Sequence, residues 1–357
     1  MILLALLHAC CPPGAAVPAP EPVRALYVNA WAFGSRRFQD LLRLADTSEV
    51  NALVIDVKDD TGYLTFRSEV PTAVAIGANR QMRARDAASR VQALRARGIR
   101  AIARIVVAKD PLLAEQHPAW AIRTADGGLW RDRHGTAWVD GFRDSVWIYA
   151  AQIAAEAVRM GFEEVQFDYV RFPDESRARL AAAVFGGRRG DESSRDGVAR
   201  NLRLLRERTR ALGVPFTIDV FGLTTSARTD MGIGQYWEDL VQVADVVLPM
   251  VYPSHYYRGF YEFKHPNSEP YGVVKRALDD GVQRSRAIGA TAEVRPYLQA
   301  FTLGLPRYEP KHVREQIRAT EDAGLAGWVL WNPRSAYDPR IFRRPAEADS
   351  VLRAGRR

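Results

Sequence analysis

Eight short apolar runs, separated by seven amphipathic stretches of helical period, set the limits on what this chain can fold into. The runs cover residues 25–29, 52–57, 101–107, 164–168, 215–220, 246–251, 296–300 and 327–331. Between them lie stretches with apolar residues at helical spacing, at 38–47, 87–97, 146–160, 198–212, 236–243, 273–288 and 313–323. Gly98, Gly161, Gly213, Gly289 and Gly324 stand just ahead of the next run, where a helix ends with least strain. Strands separated by helices pair in parallel and are covered on both faces. Eight of them predict closure into an α/β fold, a single (β/α)8 TIM barrel spanning residues 23–340. The first run is not followed by Gly-x-Gly-x-x-Gly, so a dinucleotide-binding open sheet has no support.

Successive side chains of a strand point to opposite faces. Asp168 therefore shares a face with Gln166, Asp219 with Thr217, and Asp56 with Val54 and Lys58. The opposite parity is mostly Val, Ile, Leu and Phe, which suits packing beneath helices. Arg104 interrupts the third run on the face of Ile102 and Val106. A buried guanidinium needs a counter-charge, and the carboxylates of the inward face are the expected partners.

Barrel enzymes place their chemistry at the C-terminal ends of the strands. The residues collected there are Asn29, Asp56, Lys58, Asp59, Asp168, Arg171, Asp219, Tyr252, His255, Gln299 and Asn332. The set is rich in carboxylates and amides. Of six His residues, only His255 follows a strand end closely, so the His set of a zinc hydrolase is missing. A Gly-x-Ser-x-Gly elbow is also missing. Asp56, Asp59 and Asp168 leave an oxygen-ligated Mg or Ca site as a weaker alternative. Glycosidic cleavage is the reaction that carboxylates alone can run, one protonated and one ionised. No cofactor is expected.

The stretch between the third and fourth strands carries Trp120, Trp130 and Trp138, with Trp147 opening the next helix. Trp147 reads as core. Trp130, in the turn-like Gly127-Gly128-Leu129-Trp130, is the expected sugar platform. Trp328 and Trp331 flank the last strand with opposite parity, and Trp331 is taken as the one facing a sugar subsite. The stretch 185–192 reads as a loop inserted after the fourth strand.

A chain of 357 residues with net charge +8 invites a nucleic-acid reading. Its cations are 45 Arg against 5 Lys, scattered and without a basic run or helical stripe, so no nucleic-acid partner is expected. The two cysteines, Cys10 and Cys11, are adjacent, which leaves neither a disulfide framework nor a thiolate metal site. Residues 2–7 are apolar but too short to span a bilayer. Residues 1–11 therefore read as an export signal, 12–22 as a Pro/Ala-rich tether and 341–357 as a basic solvated tail. Leu7-His8-Ala9-Cys10 resembles a bacterial lipobox. Lipidation of Cys10 with membrane anchoring, and an ordinary cleaved signal, both stay open.

Four blocks carry a family resemblance. They are Asp56-Val57-Lys58-Asp59-Asp60-x-Gly62, Gln166-Phe167-Asp168-Tyr169-Val170-Arg171-Phe172-Pro173, Pro249-Met250-Val251-Tyr252-Pro253 and Gly327-Trp328-Val329-Leu330-Trp331-Asn332-Pro333. Together they resemble the bacterial "putative glycoside hydrolase" barrel domain, which is similar to α-amylase-like and other glycosidase-like barrels. The resemblance covers residues 23–337 and implies a (β/α)8 barrel acting on carbohydrate.

In α-amylase-like enzymes the fourth strand supplies an Asp nucleophile, which Asp168 matches. The fifth supplies a Glu acid, where this chain has Asp219. The Arg usual two residues before the nucleophile is Gln166 here. The fourth-strand block is also similar to chitinase-like barrels, but their acid position holds Val170.

The expectation is an exported glycoside hydrolase in which Asp168 is the ionised nucleophile or stabiliser. Asp219 is the general acid, with Asp59 second choice. Asp56, Lys58 and Arg171 tune charge, and Asn29, Tyr252, His255, Gln299, Trp331 and Asn332 contact sugar. A carbohydrate-binding barrel without hydrolysis is the alternative.

Overall fold

The computed structural model describes residues 21–343. The expected signal with Cys10, most of the tether and most of the basic tail lie outside the described residues. Nine strand segments form one sheet: β1 (Arg24–Val28), β2 (Ala52–Lys58), β3 (Arg100–Val106), β4 (Glu164–Asp168), β5 (Phe216–Phe221), β6 (Val246–Met250), β7 (Glu293–Val294), β8 (Tyr297–Gln299) and β9 (Trp328–Trp331). Their order is β5-β4-β3-β2-β1-β9-β8-β6-β7, and a further β5–β6 pairing closes the ring. Every pairing is parallel. β7 and β8 are two pieces of one stave, so the barrel has eight staves, as the alternation of runs and helices requires.

The broken stave departs from the expected continuous strand over 296–300. Pro296 has no N–H to give to a ladder, and a proline inside a strand interrupts it. Pairing is carried past the break by Arg295 N–H donating to the Val247 carbonyl (3.0 Å) and Val251 N–H to that of Tyr297 (3.2 Å).

Alternation sorts the core into two layers. Ala25, Tyr27, Ala52, Val54, Ile102, Val246, Leu248, Tyr297 and Val329 pack inside the barrel. Leu26, Val28, Leu53, Ile55, Ala103, Ile105, Phe167, Ile218, Val247 and Leu330 pack outward under the helices. The helix Asp144–Met160 illustrates the second layer. It buries Val146, Trp147, Ala150, Ile153, Ala154 and Ala157, a stripe at three- and four-residue spacing. Each large apolar side chain buried this way contributes ~1.5–3 kcal/mol. The helix stops at Gly161, whose φ of 111° is open only to glycine without strain. The 185–192 stretch is tied down: Gly187 N–H donates to Asp140 (2.7 Å) and Arg189 pairs with Asp144 (2.7 Å).

The two mouths of the barrel differ. At the N-terminal ends of the strands, Glu164 meets Arg295 (2.7 Å) and Arg100 (3.7 Å), and Arg295 also meets Glu293 (3.0 Å). A depression of about 650 Å³ lies there, but these charges are spent on one another. The C-terminal mouth holds the groups without such partners.

Candidate active site

The centre of the C-terminal mouth is built on Arg104. In register across β2, β3, β4 and β5 lie Asp56, Arg104, Gln166 and Thr217. One inward step further up stand Asp168 and Asp219. The Arg104 guanidinium donates to Asp56 (2.5 Å) and to Asp168, and its Nε lies 3.6 Å from Asp219. The guanidinium of this centre thus comes from the strand next to β4, at the same level as Gln166. Gln166 itself donates to Asp219 (2.6 Å) and to the Tyr297 hydroxyl (2.6 Å). The Tyr27 hydroxyl donates to Asp56 (2.5 Å).

One guanidinium cannot neutralise three buried carboxyl groups, so protons must make up the difference. Burial, followed by the charge of Asp168, pushes Asp219 well above the ordinary carboxylate range. Burial also raises Asp56, against the opposing pull of Arg104, to about 6. Both shifts favour the neutral acid, most strongly at Asp219, while Arg104 is the counter-ion of Asp168.

Above this web opens a cavity of about 530 Å³. Asp168, Arg104 and Trp331 form its floor, and Tyr169, Arg171, Asp174, Phe221, Tyr252, His255 and Phe301 are among its walls. Tyr169 takes a left-handed backbone (φ 52°) immediately after β4, and its N–H donates back to Asp168 at 2.5 Å. A non-glycine residue in this region is strained, and such strain gathers at functional sites. Gly222 lets the wall close up, since a Cβ there would lie 2.4 Å from the Met250 carbonyl oxygen. Trp331 stacks on Tyr27 with ring centroids 3.7 Å apart. Burial first, and then the nearby Asp219 and Asp168, push the Tyr252 phenol well above its ordinary range. Its hydroxyl is buried and has no hydrogen-bond partner, an unmet donor at the cavity wall.

The structure brings together Asp168, Arg171, Tyr252, His255 and Trp331 around this cavity, with Asp219 and Asp56 directly beneath it. Desolvation lowers the His255 pKa from the usual histidine range, and its ring contacts the Ser254 hydroxyl (3.1 Å). Asp219 shares Arg104 with Asp168 but is 1% exposed and does not line the cavity.

Several other expectations are corrected. Lys58 faces away: the register of β2 against β3 slips between Asp56 and Lys58, and Lys58 meets Asp110 (2.5 Å) under the helices. Asp59 accepts from the Thr61 N–H (3.0 Å) in its own turn, outside the cavity. Asn29 caps the short helix Ala30–Phe33, accepting from Ala32 N–H (2.7 Å) and donating to the Pro333 carbonyl (2.8 Å). Gln299 accepts from Ser254 N–H (3.0 Å) and donates to the Phe301 carbonyl (3.0 Å). Asn332 donates to the Ala300 carbonyl (2.6 Å) and accepts from Arg334 N–H (2.9 Å). All three amides hold loops, and none lines the cavity. Trp130 is 2% exposed and donates to the Arg179 carbonyl (3.1 Å), so it is no platform.

Asp56, Asp59 and Asp168 do not form an oxygen cage, because Asp56 and Asp168 converge on Arg104. Among the described residues no group of three or more His, Cys, Asp or Glu is arranged to hold a metal ion. Asp174, Tyr169, Phe221 and Phe301 went unread in the sequence. Phe221 is the last residue of β5, and the other three lie within a few residues past a strand end, the only signal they carry.

A closed parallel barrel with a carboxylate at the tip of the fourth strand, an aromatic floor and an unmet phenol defines a glycoside-hydrolase-like site. The family described as "Putative glycosyl hydrolase domain" matches residues 25–337, and the chain belongs to it. That membership makes it a putative glycoside hydrolase. Among curated proteins, none matches the chain.

Similar solved structures include the PgaB (BpsB) glycoside hydrolase domain from Bordetella bronchiseptica. It is 16% identical, with a TM-score of 0.59, over 93% of this chain and 98% of that one. An alpha-L-fucosidase isoenzyme 2 from Paenibacillus thiaminolyticus is 15% identical, with a TM-score of 0.57, over 94% of this chain and 49% of its own. The alpha-galactosidase TtGalA from Thermus thermophilus is 17% identical, with a TM-score of 0.51, over 94% and 62% respectively. These likenesses establish the fold.

Proposed function

We propose that this chain hydrolyses O-glycosidic bonds of a poly- or oligosaccharide outside the cytoplasm, with Asp168 acting at the anomeric carbon. The observation that carries the reading is the Asp168 carboxylate on the cavity floor, facing Arg104 below and standing near the unmet Tyr252 hydroxyl. An oxocarbenium-like transition state develops positive charge at the sugar ring, and a carboxylate held in place there stabilises it or attacks it. Tyr252 donates to a sugar hydroxyl, and Trp331 and Phe301 offer ring faces to the C–H faces of the sugar. The apolar segment 2–7 supports export, and the lipobox-like Leu7-His8-Ala9-Cys10 supports anchoring.

The leaving oxygen needs a proton from a group that touches it. Burial favours the protonated form of Asp219, but Asp219 lies below the floor. We therefore assign Asp219 as a positioning residue that fixes the charge around Asp168. Asp174, the second carboxylate of the cavity lining, is the candidate donor that reaches the cavity, exposed and 3.7 Å from Arg133.

The test compares Asp168→Asn, Asp174→Asn and Asp219→Asn on a natural glycan panel and on nitrophenyl glycosides, whose leaving group needs no acid. Asp168→Asn should lower kcat on the order of 10⁴-fold on both. Asp174→Asn should lose about 10²- to 10⁴-fold on glycans and far less on nitrophenyl substrates. If Asp219→Asn alone behaves that way, Asp219 is the acid. Glycan binding with no turnover by the parent chain would make it a binding barrel.

A further inference from the structure

The deeply set arginines of this barrel come with carboxylates. Arg104 has Asp56 and Asp168, Arg295 has Glu164, and Arg284 has Glu238 at 2.5 Å. Arg171 is different. It sits on the turn after β4, and its guanidinium lies 4.5 Å from the Phe221 ring centre, 4.7 Å from Tyr169 and 5.3 Å from Trp138. Its hydrogen bond goes to the carbonyl oxygen of Phe172 (3.0 Å). Among the described residues no carboxylate stands within ion-pair distance of it. Asp168 has one oxygen on Arg104 and the other on the Tyr169 N–H, and Asp174 leans to Arg133 (3.7 Å). Desolvation accordingly outweighs the more distant charges of Tyr169, Asp168 and Asp174 and lowers the Arg171 pKa.

Three rings hold the guanidinium plane in place, which removes most of the freedom it would lose on binding. Arg171 also lies where two spaces meet. It lines the cavity of about 530 Å³ and a second one of about 180 Å³, which also touches Lys109 and Arg133. Those two cations already have partners, Asp60 at 2.7 Å and Glu175 at 3.2 Å. A cation fixed by aromatic packing, short of a counter-ion and facing a substrate-sized space is a receptor for an anion.

Resting on the glycosidase reading of the same cavity, we propose that the substrate is an acidic glycan and that Arg171 binds the carboxylate of a uronate unit next to the scissile bond. Arg171 is then a specificity residue, and the chain discriminates against neutral glycans of the same linkage.

The test separates binding from turnover. In the Asp168→Asn background, titrate a uronate-containing oligosaccharide and its carboxyl-reduced form, in which each carboxylate has become a primary alcohol. The acidic form should bind about 10- to 100-fold more tightly. Arg171→Met keeps the packing and should abolish that preference while leaving binding of the reduced form nearly unchanged. Arg171→Lys should restore part of it. Equal binding of the two forms, a preference that survives Arg171→Met, or failure to bind any uronate glycan overturns the proposal. A phosphate- or sulfate-bearing neutral glycan serves as the third arm, and tighter binding of that ligand than of the uronate overturns the carboxylate assignment. Charge-dependent binding without hydrolysis by the unmutated chain would remove the hydrolase reading and leave this one standing. Hydrolysis of neutral glycans without any charge preference would do the reverse.

Discussion

Asp219 and Asp56 are both held above the ordinary carboxylate range by burial, Asp56 to about 6. In the unfolded chain both ionise near the usual value of about 4. Between that value and their folded values, the folded chain binds more protons than the unfolded one, so stability falls as pH rises. The contribution is complete below about pH 4; the Asp56 part is lost above about pH 6 and amounts to about 3 kcal/mol. Asparagine imitates the protonated acid and still accepts from Gln166. Asp219→Asn should therefore cost stability at about pH 4 and cost less, or gain, at about pH 7. Denaturant unfolding at the two pH values checks this. An equal change at both would mean that Asp219 is not protonated in the fold. Equal loss of activity on glycans and on nitrophenyl glycosides, with retained folding at both pH values, fits a positioning role beside Asp168.

At the level of one strand, β2 determines which charge reaches the mouth. Strict alternation places Lys58 on the same face as Asp56. The slip in register between them turns Lys58 outward to Asp110, 1% and 0% exposed at their side chains. Asp110 also caps the helix Pro111–Gln116, accepting from Leu113 N–H at 2.8 Å. Lys58→Met strands a buried carboxylate and should destabilise the fold by about 3–5 kcal/mol, measured by denaturant unfolding, with KM of the folded fraction unchanged. Adding Asp110→Asn should recover part of the loss. Unaltered stability with a raised KM would return Lys58 to the substrate. A bulge is set by the neighbouring strand's register, so nothing in the residues of β2 discloses it.

Apart from the stave broken at Pro296, the strands were legible to within about a residue because apolar runs and intervening helices repeat so regularly. Site residues inside strands, such as Asp168 and Asp219, were legible through parity. Asn29, Gln299 and Asn332 sit at strand ends as expected, yet an amide there satisfies loop backbone as readily as a sugar, and each does so. Asp174 and Phe301 come to the cavity by loop paths that no periodicity encodes, whereas Phe221 closes β5 on the parity of Asp219.

Across the whole molecule the division is between a mouth with the Asp168 cavity and the unmet Tyr252 hydroxyl and a base whose Glu164, Arg295 and Glu293 pair with one another. Conserving that division predicts where a ligand leaves its mark. A glycan bound to the Asp168→Asn chain should slow amide hydrogen exchange around 169–174, 221–223, 252–256 and 301–303. The base at 98–100, 213–215, 289–293 and 324–327 should exchange as before. Protection confined to the base would place the ligand in the depression beside Glu164 and Arg295.

The direction in which β1 enters has a further consequence. Arg24 pairs with Trp328 at the base, so the polypeptide leading into the barrel arrives on the side opposite the opening. Residues 12–22 reach at most roughly 40 Å when stretched. Were Cys10 the mooring point, the barrel would stand on its floor within that distance of the lipid, its entrance turned outward to polymer strands passing overhead.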